Sequence, residues 1–330
     1  FGTRQVDTSV SGQEGSASYV ISAGTFRTDG TPVKSENKSM PYTNDHFMAR
    51  FGYEFDNDAY IKMLVMRAAG ESDYESYGNL RSNDYMNQVM ALTAGIDVSE
   101  SWQSELQLRE ARDEYDVLDS DGNATGTFYN SRSQALRWSN TVWLDNHEFV
   151  VGAERIEDDF EGSYSKDRQS NSIFAQSLSQ FGQASVQLNV RADHYSEYDT
   201  QTTGGVALGY QLEDHYTLRL SGRSSFTAPT FNSMNAENWG YTLTNEIRPE
   251  TSQTIEAGIR ADFANMYWDA AIYQADYQDL ISWTYPTVGN IDAARAQGLE
   301  LSSGVTVEQS SLAASATFME TENRSSGSEY

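Results

Sequence analysis

Alternation of apolar and polar side chains, repeated in segment after segment, restricts this chain more than any other feature, because a period of two belongs to a β-strand with unlike faces. Phe47, Ala49, Phe51, Tyr53 and Phe55 share one side of a segment whose other side carries Met48, Arg50, Gly52 and Glu54. The next segment continues the pattern more weakly, with Ile61, Met63 and Val65 against Lys62, Leu64 and Met66. Clean alternation returns at Val186, Leu188, Val190 and Ala192 opposite Gln187, Asn189, Arg191 and Asp193. It recurs at Ile255, Ala257, Ile259, Ala261 and Phe263 opposite Glu256, Arg260 and Asp262.

Alternation by itself fits a soluble sandwich as well as a barrel. Three features favour the barrel. The polar face carries bulky charges of both signs, as a water-filled or plugged lumen requires. Aromatic residues gather near strand ends, for example Phe47 and Phe55 or Tyr210 and Tyr216, as in interfacial girdles. Short turns recur near Gly15, Asp56-Asn57-Asp58, Ser99-Glu100, Asp145-Asn146, Gly182, Glu213-Asp214, Ala264-Asn265 and Glu308-Gln309. Between them lie longer polar connections at Asp29 to Thr43, Ser72 to Tyr85, Glu114 to Ser131, Asp159 to Gln169 and Phe226 to Pro249. Tight turns on one edge and long loops on the other describe an all-β, transmembrane antiparallel β-barrel, here with about sixteen strands of roughly ten or more residues.

Composition agrees. Only 38% of residues are hydrophobic while 12% are aromatic, which suits a wall one side chain thick better than a packed globule. No run approaches the roughly 18 apolar residues of a membrane-spanning helix. The formal net charge of −26 excludes nucleic acid as a partner, since phosphate binding needs a basic stripe, and favours divalent cations and cationic ligands. The absence of cysteine removes disulfides, zinc-thiolate sites and thiol catalysis. The histidines His46, His147, His194 and His215 show no H-E-x-x-H pairing, and no nucleophile elbow is present, so no catalytic residue is expected and the chain reads as no enzyme. Phe1-Gly2-Thr3-Arg4 lacks the basic and apolar regions of a signal peptide, and the chain is expected to begin within a longer protein.

The C-terminal third carries more specific words. Ser225-Phe226-Thr227-Ala228-Pro229-Thr230-Phe231 is followed by Arg248-Pro249-Glu250-Thr251-Ser252-Gln253-Thr254-Ile255-Glu256-Ala257-Gly258. Tyr273, Asp279-Leu280-Ile281, Asn290, Ala294, Gly298 and Glu300 come after them. This series resembles the paired signature of TonB-dependent outer-membrane receptors. Gly2-Thr3-Arg4-Gln5-Val6-Asp7, Phe26-Arg27-Thr28-Asp29-Gly30 and Thr43-Asn44-Asp45-His46-Phe47 are similar to early barrel strands of the cobalamin-receptor branch, with Thr43 and His46 replacing an aspartate and a glycine of its acidic element.

The resemblance implies a 1–330 barrel domain that is partial, with about 16 of some 22 strands. The plug domain, the first strand and the last strands are expected to be absent, and Tyr330 is expected inside a loop. It implies active import of a bulky scarce nutrient across the outer membrane, with cobalamin leading and a ferric siderophore as the alternative. Expected partners are that ligand, the TonB complex acting through the plug, and outer-membrane lipid and lipopolysaccharide. A passive porin and a secreted soluble sandwich are the rival readings.

Site residues follow from loop chemistry. Asp45, Asp73, Glu75 and Asp84 are assigned to two neighbouring extracellular loops and offer hard oxygens to a calcium ion; the competing reading is a solvated acidic rim. No covalent cofactor is expected. Asp119-Ser120-Asp121-Gly122-Asn123 has part of a calcium-loop pattern but lacks its terminal Glu and reads as a polar turn. Phe231, Trp239 and Tyr241, in the longest connection, are the substrate-binding candidates, their flat rings suiting a corrin or siderophore as well as loop packing. Gly258 and Gly298 are expected either to permit curvature or to admit another backbone.

Overall fold

A computed structural model describes residues 2–32, 39–76, 78–324 and 328–329. Among them the strands, in chain order, are β1 (Arg4–Glu14), β2 (Ala17–Thr28), β3 (Tyr42–Glu54), β4 (Ala59–Ser76), β5 (Asn79–Ser99), β6 (Trp102–Leu118), β7 (Ala124–Leu144), β8 (His147–Glu161) and β9 (Ser165–Phe181). There follow β10 (Ala184–Tyr195), β11 (Gln201–Leu212), β12 (Tyr216–Thr227), β13 (Thr242–Leu243), β14 (Glu250–Asp262), β15 (Met266–Thr284), β16 (Thr287–Val307), β17 (Ser310–Asn323) and β18 (Ser328–Glu329). Setting aside the two-residue β13 and β18, sixteen are long, as the hairpin rhythm implied. A one-turn helix α1 (Phe231–Met234) and a 3-10 turn (Ala236–Trp239) are the helical elements among the described residues. Tyr330 lies outside those residues, as do 33–38 within the connection expected at Asp29 to Thr43.

Two compact units divide the chain, one of Phe1–Asn140, Gly152–Asn171 and Tyr195–Glu197, the other of Thr141–Val151, Ser172–His194 and Tyr198–Tyr330. In the first unit β1 to β6 pair antiparallel with their sequence neighbours. Their register aligns like with like: Tyr19, Phe51, Met63, Leu92 and Leu108 form one cross-strand row. Ser18, Gly52, Lys62, Thr93 and Gln107 form a row of the opposite face. The second unit repeats the arrangement over β10, β11, β12, β14, β15, β16 and β17. Val186, Leu208, Leu220, Ala257, Ile272, Leu299 and Phe318 make a wholly apolar row. A slip of one residue at a ladder would turn a strand's polar face toward the apolar one, so the alternation itself fixes the register. Within their strands Phe51, Val190 and Ile259 take the apolar face, and Arg50, Arg191 and Arg260 the opposite one.

All the expected short turns are present, and six of them place a residue in the left-handed region that tight hairpins demand: Gly15 (φ 56°), Asp58 (61°), Asp145 (50°), Gly182 (59°), Glu213 (63°) and Glu308 (54°). Aromatic rings cluster beside these turns. Tyr53 meets Phe55 edge-on at 4.8 Å, His147 lies between Phe149 and Phe181, and Phe263 contacts His215 and Tyr216.

The opposite ends differ from expectation. The connection assigned to Ser72 to Tyr85 is paired from Ser72↔Asn83 to Ser76↔Asn79, and β6 and β7 leave only residues 119–123 between them. Beyond an apolar band both faces of a hairpin carry polar residues, so the alternation that marks a strand fades while the backbone ladder continues. Such an extension looks like a loop in the sequence.

The glycines also resolve differently. A Cβ on Gly258 would lie 2.7 Å from Arg219 Cζ, and one on Gly298 would lie 2.8 Å from Tyr273 Oη and 2.6 Å from the Phe318 carbonyl oxygen. Arg219 and Tyr273 are the direct cross-strand partners of these glycines. The space that each glycine leaves is taken by a neighbouring side chain of the same sheet. Arg219 uses its space to reach Asp269 with two bonds of 2.5 and 2.7 Å and Glu256 with one of 3.2 Å.

Candidate functional site

A sheet one side chain thick has little interior, and its buried apolar residues are mostly alanines. The exception within the second unit is a small core of Ala236, Ile247 and Val288, against which Met234, Tyr241, Leu243 and Ile281 pack. Val288 and Pro229 are the largest fully buried side chains described. This core folds the longest connection against the tip of the β15–β16 hairpin. Thr230 caps α1, its hydroxyl accepting from Ser233 N at 3.1 Å. The 3-10 turn ends at Gly240, whose φ of 79° is left-handed. β13 then pairs in parallel with β16, Thr242 against Thr287 and Leu243 against Val288.

The signature residues of the sequence meet at the base of this module. Arg248 N donates to Asn290 Oδ1 at 2.9 Å, and Asn290 Nδ2 donates to Arg248 O at 3.0 Å and to the Asp279 carbonyl. The Arg248 guanidinium pairs with the Asp279 carboxylate. Ile281 N donates to Glu250 Oε1 at 2.6 Å. Asp279 itself has a φ of 56°, outside regular strand geometry, so the strand backbone departs from its regular form where the clasp holds it. Words separated by more than thirty residues therefore serve one local task, which is to anchor a long loop on a hairpin.

Above the clasp Tyr241 packs edge-on against Trp283 at 5.1 Å and Tyr285 at 5.7 Å. Tyr285 is 79% exposed and Trp283 43%, so the cluster presents ring faces to solvent from a rigid base. Of the three expected contact residues, Tyr241 is in this cluster, Trp239 is exposed at the end of the 3-10 turn, and Phe231 is half-buried on α1. Trp283 and Tyr285 were not anticipated. Their signal was the Trp283-Thr284-Tyr285-Pro286 word at a hairpin tip, aromatic where a turn is usually polar.

The acidic candidates stand on strands of the first unit, not in loops. Asp45 belongs to β3, Asp73 and Glu75 to β4, and Asp84 to β5. Pairing puts them on one face, since Asp45 faces Ala69, Asp73 faces Ser82, Glu75 faces Leu80 and Asp84 faces Glu71. They do not converge. Arg27 holds Asp45 at 3.3 Å, and no group of three or more acidic or histidine side chains among the described residues is placed to hold a metal. The four do not fit a preformed calcium shell. Asp119 behaves as the polar turn expected of it: its carboxylate accepts from Asn123 N and Asp121 N, both at 2.9 Å. The bond from Asn123, more than any other cause, holds its pKa below the ordinary aspartate value.

The chain matches the family model described as TonB dependent receptor-like, beta-barrel, over residues 2–329. It is 26% identical over 265 residues to the vitamin B12 transporter BtuB of Vibrio cholerae serotype O1 (strain ATCC 39541), covering 78% of this chain and 43% of the relative. It is 23% identical over 324 residues to the vitamin B12 transporter BtuB of Photobacterium profundum, covering 92% and 52%. The chain thus spans about half the length of these curated relatives. Similar solved structures include the siderophore receptor PirA of Pseudomonas aeruginosa, with a TM-score of 0.81 at 14% identity over 97% of this chain and 63% of that one. The copper transporter OprC gives a TM-score of 0.83 at 14% identity over 99% and 61%. Such identities show the fold alone. The family is one of receptors and transporters, not of enzymes. With its model matched from residue 2 to 329, its signature residues joined in one clasp and its strands two-faced, the chain belongs to the TonB-dependent receptor β-barrel family of Gram-negative outer-membrane proteins.

Proposed function

We propose that the chain forms barrel wall of a TonB-dependent active transporter, and that the whole protein imports cobalamin. The observation that carries the substrate assignment is the likeness, by sequence along most of the chain, to proteins named vitamin B12 transporters. The aromatic cluster of Tyr241, Trp283 and Tyr285 supports it, because exposed rings on a fixed base suit a large flat macrocycle. A ferric siderophore is the competing ligand. Energy for release comes, on this reading, from the TonB complex through a plug. For calcium, Asp45, Asp73, Glu75 and Asp84 form no preformed shell, so a role for the ion would require ligand binding to draw these strand residues together.

Equilibrium titration of the full-length protein with cyanocobalamin and with a ferric catecholate siderophore decides between the ligands. Saturable cobalamin binding is expected, and Tyr241→Ala should weaken it about tenfold, since each edge-on ring pair contributes roughly 0.5–1.5 kcal/mol. Saturation by the siderophore alone would overturn the assignment. Repeating the titration with calcium or a chelator tests linkage, and identical curves would leave the carboxylates without a calcium role.

A further inference from the structure

In the first unit, the polar face carries the row of Ser18, Gly52, Lys62, Thr93 and Gln107. Counting by twos from it, away from the short turns, leads to Phe26, Tyr42, Tyr74, Tyr85 and Tyr115. Rings of an interfacial girdle belong on the apolar face. These stand on the opposite face, so a girdle does not explain them. They run on from strand to strand. Phe26 and Tyr42 have centroids 6.0 Å apart, as do Tyr42 and Tyr85. Tyr85 is the direct cross-strand partner of Tyr115, and Tyr115 lies 6.0 Å from Tyr129 of β7.

The row is tied to the wall. Tyr85 has Gly70 as its partner on β4, and over that missing side chain it reaches β3. Its hydroxyl lies 2.7 Å from Tyr42 Oη and 3.0 Å from Thr43 O, to either of which it can donate, and accepts from Asn44 Nδ2 at 2.8 Å. A Cβ at Gly70 would lie 2.0 Å from the Thr43 carbonyl oxygen, so the two backbones come close enough for one tyrosine to bridge them. Tyr42 and Tyr85 are parallel within 5°. Phe26, Tyr42, Tyr85, Tyr115 and Tyr129 are all half-buried, as rings are that lie along a sheet with one face covered and the other open.

Little free charge surrounds the row, although the chain has a net charge of −26. Asp7 is paired with His46 at 3.0 Å, and Arg81 stands opposite Tyr74 near the hairpin tip. Asn87 and Asp113, directly opposite each other and two residues inward of Tyr85 and Tyr115, are exposed. They set an amide and a carboxylate beside the rings. An anionic ligand would meet Asp113 and the negative ring faces, both repulsive to it. A polycation would find little beyond Asp113, since Asp7 is already paired. Open ring faces flanked by an amide and a carboxylate suit an uncharged ligand with flat apolar faces and hydroxyls around its edge. From β2 to β7 the row crosses five strand spacings, about 24 Å, the length of several sugar units.

We infer that this face of the first unit binds a neutral oligosaccharide. Pyranose rings lie on the open faces of the row, and their hydroxyls bond to Asn87 and Asp113. The site is separate from the cobalamin reading, because the Tyr241 cluster belongs to the second unit.

The test is calorimetric titration of the full-length protein in mild detergent. The probes are maltohexaose, cellohexaose and mannohexaose, the monosaccharides glucose and mannose, and the hexamer of galacturonic acid as an anionic counterpart. At least one neutral hexamer should bind saturably, at least tenfold more tightly than its monosaccharide and than the anionic hexamer, and should do so with saturating cyanocobalamin present. Tyr85→Ala combined with Tyr115→Ala should weaken that binding at least tenfold, with cold-detergent gel migration reporting whether the barrel is folded. Equal affinity for hexamer and monosaccharide would overturn the inference, as would preference for the anionic hexamer or loss of binding when cyanocobalamin is added. Absence of saturable binding by all three neutral hexamers would overturn it as well and leave the row as packing for another segment of the whole protein. If the double variant fails to fold, the comparison of probes on the unaltered protein still decides.

Discussion

Asn290 illustrates how much rests on single side chains in a wall without a core. Its amide accepts from Arg248 N and donates to two carbonyls, so Asn290→Ala removes three bonds, each worth roughly 0.5–1.5 kcal/mol net. The expected outcome is local: the connection at 228–249 becomes cleavable by added protease while the strands stay protected, and ligand affinity falls. Unchanged protection of that connection would mean that the buried core of Ala236, Ile247 and Val288 suffices to hold it. Asp119 gives a pH test at the same scale. Its pKa is lowered in the folded chain, so its contribution to the 119–123 turn is complete above the unfolded aspartate value of about 3.9 and is lost as pH falls through the lower folded value. Amide signals of Asp121 and Asn123 should therefore shift only below about pH 4, and Asp119→Asn should abolish the transition. The signature words of this site were plain in the sequence, but their joint task was not, since a clasp between residues 248 and 290 depends on which strands become neighbours.

At the scale of elements, the strands of the apolar band were legible because their two faces meet different surroundings, lipid on one side and charge on the other. Phe51 and Arg50 could be assigned from alternation alone. The same strands were invisible above the band, where Asp73, Glu75 and Asp84 read as loop residues because nothing distinguishes one face from the other there. Glycine roles were illegible for a related reason. Gly258 is explained by Arg219, a residue 39 positions away in the chain and directly opposite in the sheet. Gly258→Ala would push the guanidinium off Asp269 and should cost roughly 1.5–3 kcal/mol, the range of a hydrogen bond to a charged group. Denaturant unfolding of the full-length protein in detergent measures it; a variant as stable as the parent would show that Arg219 can relocate without loss.

At the scale of the whole molecule, the family signature located the chain among outer-membrane receptors, and the sixteen long strands agree with the count read from its hairpins. On the proposed reading the ligand is chosen in the longest connections, where cross-strand alternation gives no guidance, and two rings of the aromatic cluster, Trp283 and Tyr285, come from a second hairpin. The central claim is that each strand sets one face against lipid and the other against water. Because residues 1–330 contain no cysteine, single cysteines can be placed at Phe51, Val190 and Ile259, and at their neighbours Arg50, Arg191 and Arg260. Each is introduced into the full-length protein, with any cysteine elsewhere in it replaced, then labelled with an environment-sensitive fluorophore and reconstituted in bilayers containing brominated lipid. Labels at Phe51, Val190 and Ile259 should be quenched by the brominated chains, and those at Arg50, Arg191 and Arg260 by a water-soluble quencher instead. Equal quenching of both sets from either phase would contradict the account.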